Sequence, residues 1–323
     1  MIYLGNQIYA LDEYSKVVIC WLNIKIRGRS GYNCGISTCS LCNGTGKKRK
    51  GLDKEFRDLF TSKVIEEIIK GKPPIIFALL NRLQIIYTSI PGKTKPDFKK
   101  YSKELFLDSG YTNWFLNEKK NYWLADLLNQ HTCTYCNREY IFVYKNKAGG
   151  KGMVPQFDHW FSKTDYPLLA LSFYNLIPSC ATCNTIKSAA KFNLQDFLNP
   201  YVDINISSTY SFSYLPTGVN SNKIVFKKMG VFTKGINTVN ALNLPLIYEG
   251  HSEKELQDLI DLKYKYSKNY LNILLEKTFG DLKISEQERF RLIFGIEITE
   301  DNYHKRPLSK FKRDILKELK VIS

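Results

Sequence analysis

At 323 residues, with 44% apolar and 14% aromatic residues, the chain has the apolar surface needed to fold, which excludes a disordered protein and points to one large or two closely packed domains. Forty-seven Lys and Arg against 31 Asp and Glu give a formal charge of +16, which draws in polyanions by steering and counterion release and makes nucleic acid the natural partner. The most apolar stretch, Ile75 to Ile90, is interrupted by Asn81, Arg82 and Gln84, so no membrane span is expected. Met1 to Ala10 carries no export-type leader, and a cytoplasmic location is expected.

In chain order, residues 1 to 26 hold Val17, Val18, Ile19 and Ile24 in weak alternation and suggest one or two short strands. Arg27 to Lys50, rich in Gly, Ser, Asn and basic residues, reads as a basic loop ending in Lys47, Lys48, Arg49 and Lys50. Within it Gly44-Thr45-Gly46-Lys47 fails the phosphate-loop pattern twice, at Leu41 and Lys48, so no ATP site is expected. Leu52 to Lys70 shows helical apolar spacing behind an Asp53 cap and stops at Gly71. Pro73 and Pro74 open another helix, and Thr112 to Asn129 gives a third.

Beyond the centre of the chain, Ile204 to Tyr214 and Lys223 to Lys228 alternate as the arms of a hairpin. Ser252 with Glu255, and Ser285 with Glu288, make capping-box patterns ahead of further helices. The expected class is α+β: a mainly helical region at 1–130, a central core at 131–200, and a hairpin followed by helices at 201–323.

The chemistry concentrates in the centre. Cys133 and Cys136 form one Cys-x-x-Cys knuckle, Cys180 and Cys183 a second, and each is followed by an asparagine, Asn137 and Asn184. Four thiolates suit a tetrahedral Zn²⁺ with no open position for water, hence a structural ion. The long insert between the knuckles must have structure of its own. Glu139 to Tyr144 and Val154 to His159 are strand candidates separated by a turn at Gly149 to Gly152, and Thr182 to Lys191 is a helix candidate. Cys34, Cys39 and Cys42, with Cys20, offer a second zinc set, against the alternative of ordinary reduced cysteines. His131, His251 and His304 have no partner at ligand spacing, and Tyr264, Tyr266 and Tyr270 read as core and rim of a helix.

With Phe157-Asp158-His159-Trp160, then Asn175 and Asn184, residues Cys133 to Lys187 resemble the HNH, or ββα-metal, endonucleases in their asparagine-ended, zinc-clamped version. The resemblance implies that Asp158 and Asn184 bind one hard cation, Mg²⁺ or Mn²⁺, that His159 is the general base, and that Asn175 orients the histidine loop. Lys187, Arg138 and Lys163 are candidate phosphate contacts, each weighed against a plain surface charge. Tyr166-Pro167-Leu168-Leu169-Ala170, Asn175-Leu176-Ile177-Pro178-Ser179 and Asn199-Pro200-Tyr201 further resemble the HNH effectors of Septu-type and retron-associated anti-phage systems. That resemblance implies DNA as the favoured substrate and an ATPase partner. A stand-alone restriction-type or homing endonuclease, and a non-catalytic zinc-stabilised module that binds nucleic acid or protein, are the alternatives.

Overall fold

The computed structural model describes residues 1–144, 152, 154–188, 190–219, 221–266, 269–270, 273, 277 and 284–322. They group into two compact units that interleave along the chain. The first comprises Met1–Gly5, Gln130–Gln156 and Pro178–Ser323, the second Asn6–Asn129 and Phe157–Ile177. No helix among the described residues is long and apolar enough to cross a membrane.

The second unit is largely helical. Instead of strands, residues 8–27 form helix α1 (Ile8–Arg27), which buries Ala10, Tyr14, Val18, Trp21 and Leu22. That is three-and-four spacing, and burial of one face overrides the β-branched residues between. Tyr14 sits against Phe115, Trp123 and Phe173, with ring centroids 5.6–6.3 Å away, and Trp21 stacks on Trp114 at 4.9 Å. The expected helix at 52–70 is two, α2 (Lys54–Asp58) and α3 (Ser62–Lys70). Asp53 caps the first by accepting from the Phe56 amide, and Thr61 starts the second by accepting from Val64, so the chain turns between them.

Pro73 and Pro74 open α4 (Pro73–Thr88), and α5 (Lys95–Ser102) follows. It continues into a wider helical stretch, Lys103–Leu116, whose end is marked by the Asn117 amide donating to Thr112, five residues back, at 3.2 Å. Lys119, in the left-handed region at φ 59°, separates this stretch from α6 (Lys120–Leu128), so the single helix expected from Thr112 is divided.

The centre departs most from expectation. Glu139 to Tyr144 is not a strand: Tyr140 makes an isolated antiparallel bridge with Thr132. The turn expected at 149–152 lies mostly outside the described residues. The strand expected at Val154 to His159 is present as β1 (Gln156–His159) and the helix expected at Thr182 to Lys191 as α7 (Ala181–Ser188), but the strand paired with β1 is the unexpected β2 (Leu176–Ser179). β2 is buried at all four positions and contains Pro178, so it shows none of the alternation that signals a half-exposed strand.

In the first unit, β3 (Tyr210–Gly218) and β4 (Ser221–Lys228) form the expected antiparallel hairpin, with Phe212 opposite Phe226. Residues 206–208 form a short 3₁₀ turn before it. Helices α8 (Lys234–Ala241), α9 (Leu244–Glu249), α10 (Gln257–Lys265), α11 (Glu286–Phe294) and α12 (Ser309–Glu318) follow, with a wider helical turn at Ser252–Leu256 and a 3₁₀ helix at Glu300–Lys305. The capping box at Ser285 and Glu288 is formed. At Ser252 it is not: the serine hydroxyl accepts from the Ile224 amide of the hairpin, and Glu255 pairs with His251 at 2.8 Å. Tyr264, Tyr266 and Tyr270 are exposed, with the last two rings stacked at 5.0 Å.

Candidate active site and metal centres

All four knuckle cysteines are buried, at 0–4% exposure, and their sulfur atoms lie within 4.8 Å of one another. A tetrahedron with Zn–S bonds of about 2.3 Å has sulfurs roughly 3.8 Å apart, so the donor set fits this ion. Within each knuckle a backbone amide points at sulfur: Arg138 at Cys136 and Cys183 at Cys180, both 3.4 Å. Burial pushes the Cys133 thiol up, while hydrogen bonds from the neighbouring thiols hold Cys136 well below its ordinary value. Four adjacent thiols do not ionise together in water-free surroundings; a dication lets them.

Asn137, directly after the first knuckle, adopts a left-handed conformation at φ 52° that asparagine tolerates. Its buried amide donates to Thr132 Oγ1 at 2.9 Å and to the carbonyls of Tyr303 at 2.9 Å and Arg306 at 3.2 Å. The Leu308 amide donates to its backbone carbonyl at 2.6 Å. The turn that carries Cys133 and Cys136 is thereby joined to a segment some 170 residues later. The adjacent Asn was visible in the sequence; its distant backbone partners, which carry no residue identity, were not.

In the second unit, Asp158 and His159 end β1 and are 4% and 5% exposed. His159 Nε2 lies 3.0 Å from the Ala170 carbonyl oxygen. A carbonyl only accepts, so Nε2 is the nitrogen that carries a proton here, and in the neutral form of the ring the lone pair is on Nδ1. The Tyr111 ring meets the imidazole edge to face at 4.4 Å, and its hydroxyl donates to the Phe157 carbonyl at 3.2 Å. Burial, and then the Asp158 carboxylate, push the Tyr111 phenol up, so it remains a neutral donor. Lys163 is exposed and places its ammonium 5.1 Å from the centroid of that same ring.

Asn175 is fully buried. Its Oδ1 accepts from the Phe161 amide at 2.7 Å, and Nδ2 donates to the carbonyls of Phe161 at 3.2 Å and Leu169 at 3.1 Å. The two ends of the loop between β1 and its return are thus tied to one side chain, next to the Ala170 carbonyl that holds His159. The Phe161 ring stacks on Phe77 of α4 at 5.0 Å and fixes the loop from the other side.

Asn184 and Lys187 belong to the first unit. Asn184 Nδ2 donates to Gln156 Oε1 at 2.6 Å, which leaves the amide oxygen as its acceptor end. Lys187 is 2% exposed with Nζ 5.0 Å from the Phe192 ring centroid, so it is not a solvated surface charge. Arg138 is half-buried and ion-paired with Glu139. His251 pairs with Glu255, and His131 and His304 meet ring to ring at 6.0 Å.

Cys20, Cys34, Cys39 and Cys42 also converge, with all four sulfurs within 4.8 Å. Among the described residues these are the two groups able to hold a metal such as zinc.

No known protein-family profile matches the sequence, and no solved structure matches it. Among curated proteins, the chain is similar to the Septu protein PtuB of Bacillus thuringiensis, 26% identical over 168 residues. The match covers 47% of this chain and 60% of that protein, less than two thirds of the relative's length.

Proposed function

We propose that this chain is a metal-dependent HNH-type endonuclease that hydrolyses phosphodiester bonds, with DNA the favoured substrate, as an effector of bacterial anti-phage defence. The observation that carries the chemical part is the His159 imidazole: buried, anchored through Nε2 to Ala170, and therefore presenting Nδ1 as the basic nitrogen. A histidine held in one orientation with a ring nitrogen turned away from its anchor supports removal of a proton from an attacking water. The similarity to a Septu protein supports the defence role.

In this reading Asp158 supplies a carboxylate oxygen and Asn184 an amide oxygen, the hard donors that Mg²⁺ or Mn²⁺ prefers. The cation, when bound, polarises the scissile phosphate and stabilises the leaving 3′ oxygen. His159 takes the water proton on Nδ1 and passes it to solvent. Asn175 keeps the Ala170 carbonyl in place and so keeps the ring oriented. Lys163, over the Tyr111 ring that abuts His159, is the phosphate contact that the geometry favours. Cys133, Cys136, Cys180 and Cys183 hold a structural Zn²⁺, and a separate ATPase partner controls or targets the enzyme.

The test is cleavage of plasmid, single-stranded DNA and transfer RNA with Mg²⁺ or Mn²⁺, by the purified chain alone and with cell extract added. Metal-dependent cutting of DNA is expected, strengthened by the extract. Absence of cutting in every arm overturns the enzyme reading.

A further inference from the structure

Cys20 lies on the buried face of α1, whereas Cys34, Cys39 and Cys42 come from the basic loop. Cys20 Sγ is 3.1 Å from Cys42 and 3.6 Å from Cys39, too far for a disulfide, and the four sulfurs converge rather than pair. The loop around them has little core of its own: Cys20, Ile24 and Cys42 are buried together, with only Tyr32, Leu41 and the other two cysteines partly packed against them.

Next to this sulfur cluster lies a set of cations. After Cys42 the chain runs close to α1 at Gly46, where an added Cβ would meet the Leu41 carbonyl oxygen at 2.3 Å and Ile24 Cγ2 at 2.8 Å. The Arg49 amide then donates to the Lys25 carbonyl at 2.8 Å. The Arg29 guanidinium donates to the Gly44 carbonyl from the other side. The result is an open groove of about 660 Å³ lined by Arg29, Lys47, Lys48, Arg49, Lys50 and Arg57, with no carboxylate in its wall. Arg49 lies 3.8 Å from the Glu104 carboxylate. An adjoining hollow of about 480 Å³ shares Lys48 and Arg57 and adds Arg27 and Lys54, with one carboxylate, Asp58, in its wall.

We propose that Cys20, Cys34, Cys39 and Cys42 hold a second structural Zn²⁺, and that this ion folds the loop into a groove for the sugar–phosphate backbone of nucleic acid. Six cations in one wall repel one another unless a polyanion lies among them, and a row of phosphates neutralises six cations on an open lining better than one compact anion does. The choice of nucleic acid as occupant rests on the nuclease reading; the metal site does not.

The test uses the full chain carrying His159→Ala, so that binding is read without cleavage, and is valid whether or not the wild type cuts. Zinc is measured on reduced protein, and affinity for a duplex DNA and for transfer RNA is measured by anisotropy across a salt series. Two zinc ions per chain are expected, falling to one in Cys39→Ser/Cys42→Ser. Lys47→Gln/Lys48→Gln/Lys50→Gln, a change of exposed side chains that leaves zinc at two, is expected to weaken binding at least tenfold. It should also lower the log–log salt slope by up to about 2.7 for three lost phosphate contacts on duplex DNA. Loss of affinity for both polymers identifies the shared backbone; loss for one alone identifies that polymer as the occupant. One zinc per chain overturns the metal site, and unchanged affinity and slope in the triple variant overturn the groove.

Discussion

Asn175→Ala isolates the residue that ties the histidine loop. Truncation removes the acceptor of the Phe161 amide and the donor to the Phe161 and Leu169 carbonyls, in a position with no exposure to solvent. Each buried backbone group left without a partner costs about 1–3 kcal/mol, and partial relaxation brings the total to about 3–5 kcal/mol. That is a large fraction of the 5–15 kcal/mol typical of a domain. Asn175→Asp, nearly the same in shape, retains an acceptor and loses both donated bonds, so it should fall in the same range. All four tryptophans, Trp21, Trp114, Trp123 and Trp160, lie in the second unit, so tryptophan fluorescence during denaturant unfolding follows the unit that Asn175 supports. A loss below about 1 kcal/mol in both variants would refute the claim that these bonds hold the loop.

Cys180→Ser should cost the first unit its zinc and much of its fold, lowering zinc content by one ion per chain and helical circular dichroism, with tryptophan fluorescence changing less; an unchanged zinc count would refute the site. Lys310→Ala should cost about 3–5 kcal/mol, because it removes the buried ammonium that meets Asp314 at 2.7 Å and donates to the Ser207 and Tyr210 carbonyls; Lys310→Met/Asp314→Leu should recover part of this in thermal melting. Burial and the neighbouring His131 hold the His304 imidazole down at about 4, below its ordinary 6.5. The unfolded chain therefore takes up the proton first, and the stability this histidine contributes is intact above pH 6.5 and lost as pH falls towards 4. His304→Asn should therefore unfold with a flatter pH dependence over that window; identical slopes in the two proteins would refute the assignment.

The parts of the protein legible in the sequence are those whose signal is local. The two knuckles show as cysteine spacing, and Asp53, Ser285 and the Pro73-Pro74 pair mark helix starts because a cap acts within one turn. The strand pairing was not local. β2 carries a proline and no exposed position, and its partner begins at Gln156, twenty residues earlier, so neither alternation nor a short turn announces the sheet. In α1 the helical spacing from Ala10 to Leu22 was present, but Val17, Val18 and Ile19 give the opposite local preference, and burial of the tyrosine and tryptophan rings decides. His159 is anchored by the carbonyl of Ala170 and Asn137 by the carbonyls of Tyr303 and Arg306. Any residue supplies a carbonyl, so sequence shows the polar side chain and conceals what holds it. Lys187 illustrates the converse: a lysine just past a cysteine knuckle reads as a phosphate contact or a surface charge, yet α7 packs it inward over Phe192.

The central claim is that His159 acts as a base through Nδ1. The most direct measurement is the rate of Mg²⁺- or Mn²⁺-dependent DNA cleavage by wild type, His159→Ala and His159→Gln, each with zinc content and thermal stability recorded. A general base contributes about 10²–10⁴-fold. Both variants should therefore lose at least a hundredfold in rate while keeping their zinc and binding DNA as the wild type does. Cleavage by His159→Ala at the wild-type rate would contradict the account.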